Sequence, residues 1–252
     1  MSVQMIDRGD VIRNRPQLPQ NQNDEYRRLP LRSELFLIAH DDDTGRCHVD
    51  KRRLAIGLAC AVLLELWLAR RIRIGWRPDA RSGGWHRNPG HITILDATLT
   101  GDPIIDAALR LLWNLGGTPR ISDFVRQLAD TTNLYDRVRG QMVAAGTLRH
   151  TTRRRFWFFR TATHLSCHPG FPVRARTGVR SLTRQGQPRH HDIALAGLVT
   201  ALGLTRHLYP PDMSLAELQQ RLADILRPQH SVREVAASVT PGRKTNAAQR
   251  HG

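Results

Sequence analysis

Several residue types are scarce in this 252-residue chain, and each scarcity excludes a class of protein. Its three cysteines, Cys47, Cys60 and Cys167, are too few for a disulfide framework, which fits a reducing compartment. The first residues lack the apolar core of a signal peptide. The longest apolar run, residues 54–64, is interrupted by Glu65 before it reaches membrane-spanning length. We therefore predict a buried core helix in a cytoplasmic protein.

Motifs of common enzymes are missing as well. The chain has no Gly-rich phosphate loop and no nucleophile elbow. His164, Cys167 and His168 are close enough in sequence to share a metal ion, but no second Cys/His pair completes a tetrahedral zinc site. We expect no enzymatic activity, no bound metal and no cofactor.

Acidic residues are scarce, and their distribution is uneven. The chain has 38 basic and 22 acidic residues, a formal charge of +16, and only two lysines, Lys51 and Lys244. No acidic residue lies between Asp136 and Asp192, whereas twelve arginines and five histidines do. Such a segment attracts phosphates, so we predict an anionic partner, either phospholipid or nucleic acid.

Aromatic residues make up only 6% of the chain, yet four of them are consecutive in RRRFWFFR, residues 153–160. We predict that this run belongs to a β-hairpin over residues 147–161, with its turn at 152–154. Alternation along a strand would direct Phe156 and Phe158 to one face and Trp157 and Phe159 to the other. One pair of rings can pack in the core, which leaves the other pair to be explained.

The remaining pattern predicts a mainly α protein: a single globular helical domain with a few β-hairpins. The domain would span residues 29–240, between a disordered N-terminal segment, 1–28, and a disordered tail, 241–252. Ser33 and Asp102 are predicted helix N-caps, and residues 71–74 and 91–94 are predicted paired strands. The predicted helices cover about residues 33–40, 50–70, 103–109, 121–128, 134–145, 173–182, 193–204, 215–226 and 232–239.

Two functions fit the basic half of the chain. The order helix, helix, hairpin over residues 121–160 is the outline of a winged helix-turn-helix, in which Arg137 and Arg139 would reach DNA. Alternatively, the hairpin lies at a membrane, where Trp and Phe enter the head-group boundary and the arginines hold anionic lipid phosphates. A third alternative is an interaction module whose hairpin joins protomers.

Four stretches together resemble the Golgi phosphoprotein 3 family, including its bacterial members. They are LRSELFLI from residue 31, GLACAVLLEL from 57, TGDPIIDAAL from 100 and VAAGTL from 143. The resemblance implies a mostly helical domain that binds the cytosolic face of a membrane. Eukaryotic members recognise phosphatidylinositol 4-phosphate, retain glycosyltransferases as adaptors, and use an apolar-tipped hairpin for membrane contact or self-association.

The lipid pocket of the family is not matched residue for residue. Its Trp and three Arg correspond by ungapped placement to Asp50, Ala59, Thr132 and Tyr135. Neighbouring cations are predicted to substitute for them. The predicted lipid-binding residues are Lys51, Arg52, Arg53, Arg137, Arg139, Arg153, Arg154 and Arg155.

We therefore expect a non-enzymatic peripheral protein on the inner face of the membrane, with Phe156, Trp157 and Phe158 making membrane contact or self-association. The expected partners are anionic phospholipid, membrane enzymes as cargo, and a second copy bound through the hairpin. A winged-helix DNA-binding protein is the alternative.

Overall fold

A computed structural model of the chain describes residues 28–79, 83–155, 159–183, 188–208 and 213–239. Of Thr131 and of residues 152–155 and 159–163 only the backbone is described. The helices are α1 (Leu31–Ile38), α2 (Lys51–Leu68), α3 (Pro103–Leu115), α4 (Ile121–Thr131), α5 (Leu134–Ala144), α6 (Gly170–Ser181), α7 (His190–Leu202), α8 (Leu215–Leu226) and α9 (His230–Ala236). The strands are β1 (Ile72–Pro78), β2 (Trp85–Ile94), β3 (Leu148–Arg155) and β4 (Phe159–Ser166). Short 3₁₀ helices cover Thr205–Leu208 and Ala237–Val239. The prediction of a single, mainly α domain with small hairpins is confirmed.

Helix α2 forms the centre of the core. Asp50 caps it by accepting the backbone N–H groups of Arg52 and Arg53 at 2.9 and 3.1 Å. Because α2 packs against α1, α4, α5, α7 and α9, apolar side chains on every face of it are buried. The buried core helix predicted from residues 54–64 is confirmed. Among the described residues, no helix is both long and apolar enough to span a bilayer.

Helix α1 corrects one prediction. It begins at Leu31, so Ser33 lies inside the helix and is not its N-cap. The carbonyl of Pro30 accepts the N–H groups of Ser33 and Glu34, at 2.9 and 3.1 Å. All eight residues of α1 are buried, although Arg32, Ser33 and Glu34 are polar. Their burial therefore requires polar partners from other helices.

Both β-sheets are two-stranded antiparallel hairpins. In the first, Ile72 pairs with Ile94 and Ile74 with Ile92, which confirms the predicted strand pair. In the second, the register runs from Leu148 opposite Ser166 to Arg155 opposite Phe159. The turn predicted at residues 152–154 is therefore wrong, because these residues belong to β3.

Candidate functional site

Two predicted site residues, Lys51 at the start of α2 and Arg139 in α5, meet at one carboxylate. Lys51 Nζ lies 3.2 Å from Asp136 Oδ2, and Arg139 Nη2 lies 3.0 Å from Asp136 Oδ1. Both cations lie over the Tyr135 ring, 4.5 and 6.0 Å from its centroid. Partial burial raises the pKa of Asp136, but the hydrogen bond from Lys51 and the charge of Arg139 outweigh burial and lower it overall. We call Lys51, Tyr135, Asp136 and Arg139 the α2–α5 corner.

The other three predicted cations of these helices do not join the corner. Arg53 Nη2 donates to the carbonyl of Ala201 at 3.0 Å, and Arg137 Nη2 donates to the carbonyl of Pro103 at 3.0 Å. Arg52 is exposed on the first turn of α2. Of the five basic residues predicted here, the structure therefore joins Lys51 and Arg139 around a shared acid and aims Arg53 and Arg137 elsewhere.

The rings of Phe36 and His40 form an aromatic wall that packs against Tyr135 in the α2–α5 corner. His40 Nδ1 donates to the carbonyl of Phe36 at 2.7 Å, which leaves Nε2 to accept the Tyr135 hydroxyl at 3.1 Å. The Phe36 and His40 rings stack with centroids 4.1 Å apart. Burial lowers the pKa of His40 to about 4, so the ring is neutral at pH 7. Burial also raises the pKa of Tyr135. The wall therefore fixes the Tyr135 ring beneath the two cations.

The positions that the sequence resemblance assigns to a lipid pocket supply no cation. Asp50 is occupied as the cap of α2. Ala59 is fully buried in that helix, and the Thr132 hydroxyl donates to the carbonyl of Leu128. Only Tyr135 faces the α2–α5 corner, where it supports the two cations through its ring. The cations beside Tyr135 are Lys51 and Arg139, both of which lie over its ring.

The arginine-rich hairpin is described through its backbone. The register places Arg153 opposite Thr161 and Arg154 opposite Arg160. Arg155 pairs with Phe159 at the last rung. The predicted membrane-contact residues Phe156, Trp157 and Phe158 lie outside the described residues. At its base, β3 packs against α5, so the hairpin begins beside the helix that supplies Arg139.

The residues weighed as metal ligands are placed separately. His164 meets His150 edge-on, with ring centroids 5.2 Å apart. Cys167 is exposed, and His168 Nδ1 accepts the backbone N–H of Gly170 at 3.1 Å. Within the part of the chain that the structure describes, no three His, Cys, Asp or Glu side chains are grouped as metal ligands.

The helix that a winged-helix protein would insert into DNA has no polar side chain at its three most exposed positions. The exposed residues of α5 are Gly140, Val143 and Ala144. None of their side chains has a donor or acceptor for base edges. The Gln141 side chain, which could otherwise pair with a base edge, donates to Asp102 Oδ2 at 3.2 Å.

One buried charge network was missed by the sequence analysis. Arg32 is 1% exposed and forms ion pairs with Glu65 and Asp102. Arg32 Nη2 also donates a hydrogen bond to the side-chain carbonyl oxygen of Gln141, at 3.2 Å. The network borders a cavity of about 730 Å³ between the ends of α1, α2, α3 and α5, whose other lining is mostly apolar. Glu34 is likewise buried and lies 2.9 Å from His191 Nε2. The sequence signal for this network was a charged residue, Arg32, within the short apolar helix α1.

Comparison with known proteins assigns the family. The family model of Golgi phosphoprotein 3 (GPP34) matches residues 31–240, which covers most of the chain and all nine described helices. A search of curated proteins finds no match. The family is not a known enzyme family. On the match over residues 31–240, the chain belongs to the Golgi phosphoprotein 3 family.

Proposed function

We propose that this protein is a non-enzymatic peripheral membrane protein that binds anionic phospholipid through the β3–β4 hairpin and the α2–α5 corner. The family is linked to phosphoinositide binding at the Golgi, which supports a lipid ligand. By the same link, phosphatidylinositol 4-phosphate is the first specific head group to test. The protein would act on the cytoplasmic, inner face of the membrane.

The observation that carries the proposal is the register at the end of the hairpin. Four arginines, Arg153, Arg154, Arg155 and Arg160, occupy its last three rungs, and Arg154 is directly opposite Arg160. Like charges directly opposite each other destabilise a strand pair. The segment between Asp136 and Asp192 contains no acid to compensate them. A polyanionic surface would compensate this concentration of positive charge.

The charge is sufficient for reversible binding. A basic residue near an anionic membrane surface contributes about 1 kcal/mol, so four arginines contribute about 4 kcal/mol. That free energy corresponds to roughly a thousandfold preference for anionic over neutral lipid. Trp157 with one neighbouring Phe would add apolar contact at the head-group boundary.

The α2–α5 corner is the proposed head-group site. A phosphate monoester would compete with Asp136 for Lys51 and Arg139, both of which are already placed over the Tyr135 ring. Lys51 is 58% exposed, so its amine can turn toward a ligand without unpacking a helix. Asp136→Asn therefore strengthens phosphate binding here, because the competing carboxylate is removed.

Two partner proposals follow from the family assignment. Membrane enzymes are the proposed cargo, which the protein would hold at the bilayer as an adaptor. A second copy of the chain is the proposed partner of the hairpin in solution. Measuring the molecular size of the Phe156→Ser and Trp157→Ser variants in solution tests self-association. Loss of a dimer in either variant would assign self-association to the hairpin.

Vesicle co-sedimentation tests the proposed function. We expect binding to vesicles of phosphatidylcholine with phosphatidylserine, and weak binding to phosphatidylcholine alone. Arg154→Glu and Trp157→Ala should each weaken binding to the phosphatidylserine-containing vesicles. Arg227→Glu is the matched control, because Arg227 is 74% exposed at the end of α8. Vesicles that do not bind, together with a duplex DNA shift that weakens steeply with salt, would establish the winged-helix alternative instead.

A further inference from the structure

The β1–β2 hairpin presents two tryptophans at the protein surface. Trp76 and Trp85 are 36% and 37% exposed. An arginine lies over each ring: Arg87 Cζ is 5.2 Å from the Trp76 centroid, and Arg73 Cζ is 4.1 Å from the Trp85 centroid. Each pair combines a large apolar ring with a cation held against it.

A β-bulge turns Trp76 outward. Ile72 and Ile74 are buried, so strict alternation would bury the residue at position 76 as well. The register instead shifts between Ile74 and Trp76, where Gly75 adopts a φ of +75°. The positive φ favours glycine at position 75, and a Cβ there would lie 2.7 Å from the Glu234 carboxylate, which would have to shift. The bulge thus places Trp76 on the same exposed surface as Arg73.

The hairpin is also strongly basic. Residues 72–94 contain four arginines, two histidines and one acidic residue, Asp79. Arg73, Arg77 and Arg87 are all exposed. Among the described residues, Glu234 on α9 is the carboxylate beside Arg87, at 3.4 Å. The surface therefore keeps a positive excess next to its exposed rings.

We infer that the β1–β2 hairpin is a second membrane-contact surface, with Trp76 and Trp85 at the head-group boundary of an anionic bilayer and Arg73, Arg77 and Arg87 on lipid phosphates. Amphipathic rings with an apolar body and a polar edge settle at this boundary, and arginines bind the phosphates there. This inference rests on the proposed function, because the partner is the same kind of surface. It assigns that partner to a hairpin on a different part of the fold, packed against α2, α4 and α9.

Tryptophan fluorescence tests the inference directly. The protein Trp113→Phe/Trp157→Phe retains Trp76, Trp85 and Trp67, and Trp67 packs against the core. With phosphatidylserine-containing vesicles we expect a blue shift of its emission, and quenching when the lipids carry bromine on their acyl chains. Adding Trp76→Phe/Trp85→Phe should abolish both signals.

A charge variant gives a second readout that does not depend on aromatic substitutions. Arg73→Gln/Arg77→Gln should lower vesicle binding about 25-fold, since each arginine contributes about fivefold. Arg126→Gln/Arg227→Gln is the matched control, because both arginines are well exposed on other helices.

The outcomes separate the two proposals. If the protein sediments with anionic vesicles while its emission stays unchanged and the charge variant binds normally, the second surface is refuted and the proposed function survives. If the unmodified protein does not sediment with anionic vesicles, both are refuted. Fluorescence quenched by duplex DNA but not by brominated lipid assigns this hairpin to nucleic acid and overturns the inference.

Discussion

Replacing Arg32 by methionine tests how the buried charges are held. Arg32 is 1% exposed, and its guanidinium pairs with Glu65 and Asp102. Its backbone N–H donates to Glu65 Oε1 at 2.8 Å. Methionine matches the length of the aliphatic stem but leaves two neighbouring carboxylates without their cation. Removing one partner of a buried ion pair costs about 3–5 kcal/mol.

The loss of stability caused by Arg32→Met should increase as pH rises. Burial raises the pKa of Glu65, while the charge of Arg32 opposes this effect. A carboxyl group whose folded pKa is raised stabilises the protein below its unfolded pKa, and this contribution is lost as pH rises through the folded pKa. Removing Arg32 raises the folded pKa further. The deficit of Arg32→Met should therefore be smallest in acid and largest above neutrality.

Urea denaturation between pH 5 and 8 measures the effect. At pH 7 a loss of about 4 kcal/mol also lowers Tm by roughly 8–16 °C in a protein of this size. Arg32→Met/Glu65→Leu should recover more than half of the loss, because the buried carboxylate is removed with its partner. Arg126→Met, which breaks an exposed pair with Asp123, should cost less than about 1 kcal/mol. A loss under 1 kcal/mol for Arg32→Met, or one that is constant with pH, would refute this reasoning.

Three further predictions use the same denaturation assay. Gly197→Ala should destabilise the protein by about 1–3 kcal/mol, because the new Cβ would lie 2.4 Å from Val232 Cγ1. Gly140→Ala, with open space around it, should stabilise the protein by about 0.5–1 kcal/mol. Equal effects of the two substitutions would contradict the packing of α7 on α9. Asp50→Ala should cost about 1 kcal/mol through loss of the α2 cap, and an unchanged midpoint would show that the cap is dispensable. Since the pKa of His40 falls to about 4, His40 should contribute a decline of about 3 kcal/mol to the free energy of unfolding as pH drops from about 6.5 toward 4, and His40→Phe should reduce the total decline by that amount.

The sequence predicted those helices and strands whose start and burial depend on their own residues. Asp50 followed by an apolar run predicts the start and the burial of α2, and both are confirmed. Isoleucines at alternating positions likewise predict the pairing of β1 with β2. The burial of α1 was not predictable in this way, because the partners of Arg32 and Glu34 come from residues 65, 102 and 191. Such charges are compensated only after the fold brings distant residues together.

The hairpin turn shows a different limit. Residues 152–154 contain no Gly, Asn or Asp, the residues that accept the positive φ of tight hairpin turns. They remain in β3, and pairing continues to Arg155. The run of arginines resembled a polar turn, but composition alone does not determine where a ladder ends.

The candidate site was partly predictable. The resemblance to the family grouped Lys51 and Arg139 with three other cations as substitutes in a lipid pocket, and the structure brings these two together. The role of Asp136 between them follows from its position three residues before Arg139, which sequence analysis can detect. The outward orientation of Trp76 depends on the bulge at Gly75, which breaks the alternation of Ile72 and Ile74. A glycine in an alternating strand is the signal for such a bulge.

Partitioning of two triple variants onto phosphatidylserine vesicles tests the central claim most directly. One replaces Arg153, Arg154 and Arg155 with glutamine, and the other replaces Arg126, Arg221 and Arg227, which are exposed on α4 and at α8. Both lose three positive charges, so a difference between them reports where the membrane is bound. We predict a loss of about a hundredfold for the hairpin variant and a much smaller loss for the other. Equal losses, or no loss in either, would contradict binding through the arginine-rich hairpin.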